Sequence, residues 1–247
     1  MNMEWKLDLH VHSARSFDGV MGLEEIATLA KAAGLDGVAV CDHGAALLEA
    51  PDIPDFLFIP GVELATQFGH VLGLFVTGPV ETGDLGRAAQ RIHAQGGLTV
   101  LAHPFEHNRD AARLLPAVPY LDGVEVWNSR ADRNIGEANA LAAAFAEEHG
   151  LLPFGGSDAH VPPEIGNAAV TVRAPALTLD GVKAALLAGD AKIEGRRGRA
   201  RYVAQSQLTR RKKAGAGPLD YAQWAAFAAK CCAQDLLRRD ESLCQRW

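Results

Sequence analysis

Cysteine is scarce in this chain, with four among 247 residues. They are Cys41, Cys231, Cys232 and Cys244, two of them adjacent and none at zinc-ribbon spacing. That usage excludes a disulfide framework and points to free thiols in a reducing, cytoplasmic compartment. Long uncharged apolar runs are also missing, which excludes a bilayer-spanning helix and a membrane partner. No signal peptide is expected either, because the first apolar run is short, lacks a basic flank and is interrupted by Asp8, His10 and His12. What the chain does have is 48% hydrophobic residues, enough at this length for the core of one large α/β domain with a tail.

Charge is unevenly placed. Residues 1–195 carry 12 Lys and Arg against 26 Asp and Glu, a balance of −14, whereas residues 196–247 carry 12 against 4, a balance of +8. The sequence thus divides into an acidic catalytic candidate, 1–195, and a basic arm with a C-terminal helix, 196–247. Residues 196–213 hold eight cations and little apolar periodicity, and read as a loop or arm. A final amphipathic helix is expected from Leu219 to about Arg239, with Trp224, Phe227, Cys231, Leu236 and Leu237 on or near one face.

Strand-like runs alternate with helical stretches: WKLDLHVH, LEEIATLAKAAG, LDGVAVCDH, FLFIPGVEL, HVLGLFV, LGRAAQRIHAQGG, LTVLAHP, LDGVEVWN, IGEANALAAAFAEEHG, LLPFGGSDAH and AAVTVRA. Such alternation predicts βα units around a mainly parallel sheet of about seven strands. Gly34, Gly96 and Gly150 stand where helices should close on a residue of positive φ.

Nine side chains able to ligate metal end these apolar runs. They are His10, His12, Asp18, His43, Glu63, His70, His103, Asp158 and His160. In a strand, residues i and i+2 share a side, so His10 and His12 can grip one ion together. A strand followed by a polar ligand, repeated along the chain, is how an α/β sheet assembles one site from remote segments. Imidazole mixed with carboxylate suits Zn, Mn or Fe better than Mg or Ca. The reading is therefore a metal-dependent hydrolase.

The motifs DLHVHS, CDHG, PGVEL, AHP and GSDAH, in that order, resemble those of the polymerase and histidinol phosphatase (PHP) family over roughly residues 6 to 195. The resemblance implies a distorted (β/α)7 barrel with two or three metal ions at the C-terminal ends of its strands. It implies His10, His12, Glu63 and Asp158 around one ion, Glu63 bridging to a second held by His70 and His103, and Asp18, His43 and His160 at a third. Glu63, Asp158 and His103 take the catalytic roles. Three divalent ions against three carboxylates leave a charge of about +3, which favours a phosphate anion, and a hydroxide between metals is a nucleophile at neutral pH. The implied reaction is hydrolysis of a small phosphomonoester or nucleotide. A 5'-3' exonuclease or oligonucleotide phosphodiesterase using the same cluster, with the basic arm holding a short oligonucleotide, is the alternative.

Other residues are candidates on position. Arg15, Arg109, Arg130 and Arg133 lie in loops just beyond candidate ligand strands or the VEVWN strand, where a guanidinium could clamp phosphate oxygens bidentately; a solvated surface arginine is the more ordinary alternative for each. Asn128 ends VEVWN and could line the pocket, with Trp127 packing the other way. Asp42 either orients a ligand or caps a turn. Ser13 and Ser157 adjoin ligands without a nucleophile-elbow context, so hydrogen bonding to ligands is their expected role. His107 could reach a leaving group; His93 and His149 read as structural. The basic arm reads as a solvated segment, a substrate strip or a partner for the acidic barrel, and Tyr202 is its lone aromatic, which weakens base stacking. Carbon–nitrogen hydrolysis is disfavoured by the absence of a bridging lysine. A non-catalytic phosphate-binding module would not need all nine ligands.

Overall fold

A computed structural model describes residues 2–81, 83–237 and 242–246. Ten strands form one sheet: β1 (Met3–Val11), β2 (Gly37–Val40), β3 (Leu57–Thr66), β4 (Gly69–Leu74), β5 (Leu98–Leu101), β6 (Gly123–Asn128), β7 (Leu152–Gly156), β8 (Ala168–Ala174), β9 (Lys192–Arg196) and β10 (Ser242–Arg246). Between and after them run α1 (Leu23–Ala32), α2 (Leu85–Ala94), α3 (Ala138–His149), α4 (Leu179–Leu187), α5 (Ala200–Lys213) and α6 (Pro218–Leu237). The strand order is β10-β9-β8-β1-β2-β3-β4-β5-β6-β7.

This sheet curls until its two ends nearly meet. The first half of β1, Met3 to Leu7, pairs antiparallel with β8. Its last residues turn instead to the segment after β7, where Asp158 N donates to His10 O and His12 N to Ala159 O, each at 2.8 Å. Strands β1 to β7 thereby make the α/β barrel the motifs imply, with β8, β9 and β10 extending it from β1. The runs read as strands are β1 to β8, AAVTVRA being β8; β9 and β10 are not among them. A mainly parallel sheet is not what forms, however: β3, β4 and β5 are a meander of antiparallel neighbours, because the turn at Gln67–Phe68 is too short for a helical crossover.

Strands β2, β5 and β6 are buried along their whole length, as continuous apolar runs covered on both faces should be. Helix α1 lays Ile26, Ala27 and Ala30 on the sheet, with Glu24 and Glu25 in its first turn and Lys31 in its last, each charge complementing the helix dipole. Gly34, Gly96 and Gly150 all have positive φ, as expected.

Two expectations about the tail need correction. Residues 196–213 are not a loop: Arg196 ends β9 and Ala200–Lys213 is helical. This helix has no continuous apolar face, and its stability comes from α6. Ala200 and Ala204 pack on Cys231 beside Phe227, Trp224 Nε1 donates to Ala204 O at 2.8 Å, and Asp235 caps the start of α5 by accepting from Ala200 N and Arg201 N at 2.7 and 3.1 Å. The terminal helix lies where expected, but Leu236 and Leu237 are exposed rather than on the packed face. Arg239 and the side chain of Cys244 fall outside the described residues. Cys41, Cys231 and Cys232 are free thiols. Among the described residues no helix is long and apolar enough to cross a membrane.

Candidate metal centre

The barrel brings all nine candidate ligands to one end. His10 and His12 close β1; His43 follows β2 and bridges to Glu63 in β3; His70 opens β4, which runs the other way and so starts where its neighbours finish. His103 and Asp158 follow β5 and β7. Both have positive φ, 28° and 56°, a conformation uncommon in non-glycine residues, in which Asp and His are enriched.

Three overlapping sets emerge. In the first, His10 Nε2 and His12 Nε2 lie 3.7 and 3.3 Å from Glu63 Oε2 and 3.7 and 3.4 Å from Asp158 Oδ1. In the second, His70 Nδ1 and His103 Nε2 lie 2.8 and 3.1 Å from Glu63 Oε1. In the third, His43 Nε2 and His160 Nε2 lie 3.6 and 3.3 Å from Asp18 Oδ2, with His12 within reach as well. Donors each about 2.1 Å from a tetrahedral ion stand roughly 3.4 Å apart, so these separations suit coordination. The unsatisfied atoms point the same way. Glu63 Oε2 and Asp18 Oδ1 are buried without a hydrogen bond, and His10 Nε2 faces His12 Nε2 at 3.1 Å, where two bare acceptors would repel. Divalent ions fit this donor set.

A supporting layer fixes which nitrogen faces inward. Nδ1 of His10 donates to Glu125 Oε1 at 3.0 Å, Nδ1 of His160 to Asp158 O at 2.9 Å, and Nδ1 of His12 lies 3.2 Å from Ser16 Oγ. The bonds of His10 and His160, made to oxygens that can only accept, hold a tautomer whose Nε2 lone pair points to the cluster. Glu125 Oε2 also accepts from His103 N at 3.0 Å and Asn128 Nδ2 at 2.9 Å. Sequence reasoning missed Glu125, although a lone acid inside the apolar run GVEVWN was a signal. Asp42 accepts from Ser13 N and Oγ at 2.7 and 2.6 Å, and Ser157 Oγ accepts from Ala159 N at 3.2 Å; both serines brace the turns that follow β1 and β7.

Electrostatics follow from burying carboxylates among imidazoles. Burial alone would raise the Glu63 carboxyl, but the imidazoles of His10, His103, His12 and His43 crowded around it hold it well below its ordinary range in the metal-free protein. For Asp158, burial is overcome by the charge of His10 and a hydrogen bond from His12. Burial opposes protonation of His43 and His103, yet Asp18 and Glu63 push the former up to about 10 and Glu63 the latter to about 9. His160 goes the other way, to about 4, through burial and the nearby charges of Arg130 and His12.

The ligands floor a cavity of about 580 Å³ whose walls include Phe17, Glu106, His107, Arg130, Arg133, Gln207 and Arg210. Arg130 is buried, donates through Nε and Nη2 to Glu164 and through Nη1 to Ser206, and still reaches the wall. Arg133 pairs with Glu106 at 3.3 Å. The structure does not bring Arg15 or Arg109 to this wall: Arg15 is exposed and Arg109 is exposed and paired with Glu137. Asn128 sits beneath it, buried, donating to Glu125 and to Asp158 Oδ2 at 3.3 Å. Trp127 packs against Gly195, where a Cβ would lie 1.9 Å from its Nε1. Exposed His107 lines the cavity, while His93 pairs with Asp122 and His149 packs on Phe145, both elsewhere. Gln207 and Arg210, both on α5, were not anticipated as wall residues.

Comparison with known proteins fits this geometry. A model of the PHP domain matches residues 8–93, and a PHP-associated model matches residues 136–191. An uncharacterised protein of Methanocaldococcus jannaschii is 36% identical over 174 residues, 66% of this chain and 68% of the relative. The fold is similar to that of a two-domain Bacteroides vulgatus protein containing a predicted PHP-like metal-dependent phosphoesterase, with a TM-score of 0.59 and 19% identity over 84% of this chain and 70% of the other. It is similar also to the lesion-specific endonuclease of Pyrococcus furiosus, with a TM-score of 0.54 and 19% identity over 77% of this chain and 58% of that one. With the HxH pair, the bridging position of Glu63 and the SDAH motif all at one barrel mouth, the chain belongs to the PHP family.

Proposed function

We propose that this protein is a metal-dependent phosphoesterase that hydrolyses a small phosphomonoester or nucleotide at a trinuclear site. The observation that carries the reading is the sharing of Glu63: one buried carboxylate offers Oε2 to the His10 and His12 set and Oε1 to the His70 and His103 set. His10, His12, Glu63 and Asp158 would hold one ion, Glu63, His70 and His103 a second, and Asp18, His43 and His160 a third. Bound there, such ions lower the pKa of water to near 7 and offset charge on phosphoryl oxygens. The protein's own part is positional. Glu125 and Asn128 keep His10, His103 and Asp158 in place, and Arg130, pinned by Glu164, presents fixed positive charge to an entering phosphate without reorganising. In this reading residues 1–195 are the catalytic barrel, and residues 196–247 close one wall of its cavity through α5.

Activity of metal-loaded and chelator-treated protein on an aryl phosphate and on a panel of nucleotides tests the proposal. Loss of turnover with the metal and its return on adding Zn²⁺ or Mn²⁺ is expected; equal activity in both states would sink it.

A phosphodiester substrate is the second reading, favoured by the position of α5. Its last turn holds Arg210, Arg211, Lys212 and Lys213, and Arg210 stands on the cavity wall, so a strand could leave the cluster along a basic surface. Removing residues 196–247 would destroy the wall itself. Lys212→Ala with Arg211→Ala discriminates better: a selective loss of oligonucleotide turnover supports the diester.

A further inference from the structure

Eight of the nine ligands are carried by strands or lie within four residues of a strand end. Asp18 is different, for it rides the loop between β1 and α1, seven residues beyond Val11. Besides hydrogen bonds from Ala14 N to Met21 O and from Val20 N to His160 O, that loop is tied down by α5. Lys213 Nζ donates to the carbonyl oxygens of Ala14, Ser16 and Gly19 at 2.8, 2.6 and 2.9 Å. An ammonium has three protons, and here all three are used on one loop. Gly19 is wound so tightly there that a Cβ would fall 2.1 Å from Ser13 O.

One turn earlier on α5, the Arg210 guanidinium lies over the Phe17 ring, 5.1 Å from its centroid. That ring stacks on His43 at 4.5 Å and 10°. The loop reaches the same imidazole a second way, since His43 N donates to Ser16 Oγ at 3.2 Å. Two of the three protein groups at the third metal position, Asp18 and His43, thus receive their placement from one turn of α5, about 190 residues away in the chain. His160 is held instead by Glu164, whose Oε2 accepts from its N at 3.0 Å, and by Asp158 O, which accepts from its Nδ1 at 2.9 Å; at the other two positions Glu125 braces His10 and His103.

We propose that Lys213, with Arg210 acting through Phe17, is a positioning device for the third metal ion, setting the affinity of the Asp18–His43–His160 position and leaving the other two unchanged. The inference rests on the trinuclear reading above. A carboxylate on an untethered loop would spend part of its time away from the ion, and residues that hold ligands from behind typically contribute 10- to 100-fold in metal affinity. Lys213 does so through the backbone, which makes the loop's own sequence insufficient for the site.

The test is a Zn²⁺ titration of chelator-treated full-length protein against a chromogenic competitor, comparing wild type with Lys213→Met and Asp18→Ala. Wild type should take up three ions tightly and Asp18→Ala two. Lys213→Met should weaken only the third by about 10- to 100-fold, with the first two within about two-fold of wild type. Wild type binding fewer than three, or Asp18→Ala keeping three, overturns the trinuclear reading and the proposal with it. Wild type at three, Asp18→Ala at two and Lys213→Met at three with unchanged affinity overturns the positioning role alone. Should Lys213→Met fail to fold, Phe17→Leu removes the stacked face from His43 and leaves Lys213 in place; the same selective weakening is expected, and an unchanged third affinity overturns the proposal.

Discussion

Glu125 accepts the Nδ1 proton of His10 at 3.0 Å, both side chains fully enclosed. Its second oxygen faces only donors, His103 N and Asn128 Nδ2. An amide in its place must therefore turn an NH₂ group either toward those donors or toward His10, where it would reverse the imidazole tautomer. Glu125→Gln should weaken metal binding by about 10- to 100-fold, read by competition with a chelator, while wild-type affinity in the variant would show that the carboxylate is only packing.

Protons and metal ions compete for the same imidazoles. Held near 10 and 9, His43 and His103 are protonated at pH 7 in the metal-free protein, and a ligating nitrogen must give up its proton. Metal binding at pH 7 should release at least about one proton, and affinity should rise with pH from about 7 toward 10. Calorimetric enthalpies measured in buffers of differing ionisation enthalpy will report this directly. Identical enthalpies in every buffer would rule it out.

Burial pushes the Asp8 carboxyl up to about 7, against hydrogen bonds from Ser157 and His10 that favour its ionised form. The folded-state value lies above the unfolded one, so folding favours the protonated acid. Its contribution is fully present below about pH 4 and is lost as pH rises to about 7. Relative to Asp8→Asn, wild type should lose stability across that window by an amount on the order of a few kcal/mol, then change no further. Urea midpoints at pH 4 and pH 8 measure it; a constant difference between the two proteins would contradict the argument.

Gly156 ends β7 against His10. An added Cβ would lie 2.2 Å from the His10 Cβ and 2.8 Å from Glu125 Oε1, and neither neighbour is free to move. Gly156→Ala should destabilise the fold by about 3 kcal/mol or more through overpacking and weaken metal binding at the same time. A thermal melt and a metal titration on the same sample check both, and unchanged affinity in a destabilised protein would separate packing from the site.

Much of this was legible before any coordinates. The alternation of apolar runs predicted an α/β sheet, the motif resemblance implied the barrel, and a polar residue at the end of most runs marked the candidate ligands, because a strand's last side chains must emerge at the barrel mouth. His10 and His12 carried their own geometry in their spacing. Glu125 and α5 were harder. Glu125 follows no strand end; it points inward from the middle of an apolar strand, and its value depends on facing His10, 115 positions away. The wall formed by α5 left no periodic signature, since its helix is stabilised by Cys231, Trp224 and Asp235 rather than by an apolar stripe of its own.

Local sequence therefore determined which residues could bind metal and on which elements they ride, because strand alternation and chain-end placement are properties of neighbours along the backbone. Only the tertiary structure decided which imidazole nitrogen faces inward, what braces each ligand from behind, and what encloses the mouth. Those depend on contacts between segments far apart in the chain, such as Lys213 on the Asp18 loop, and no local pattern encodes the far end of a hydrogen bond.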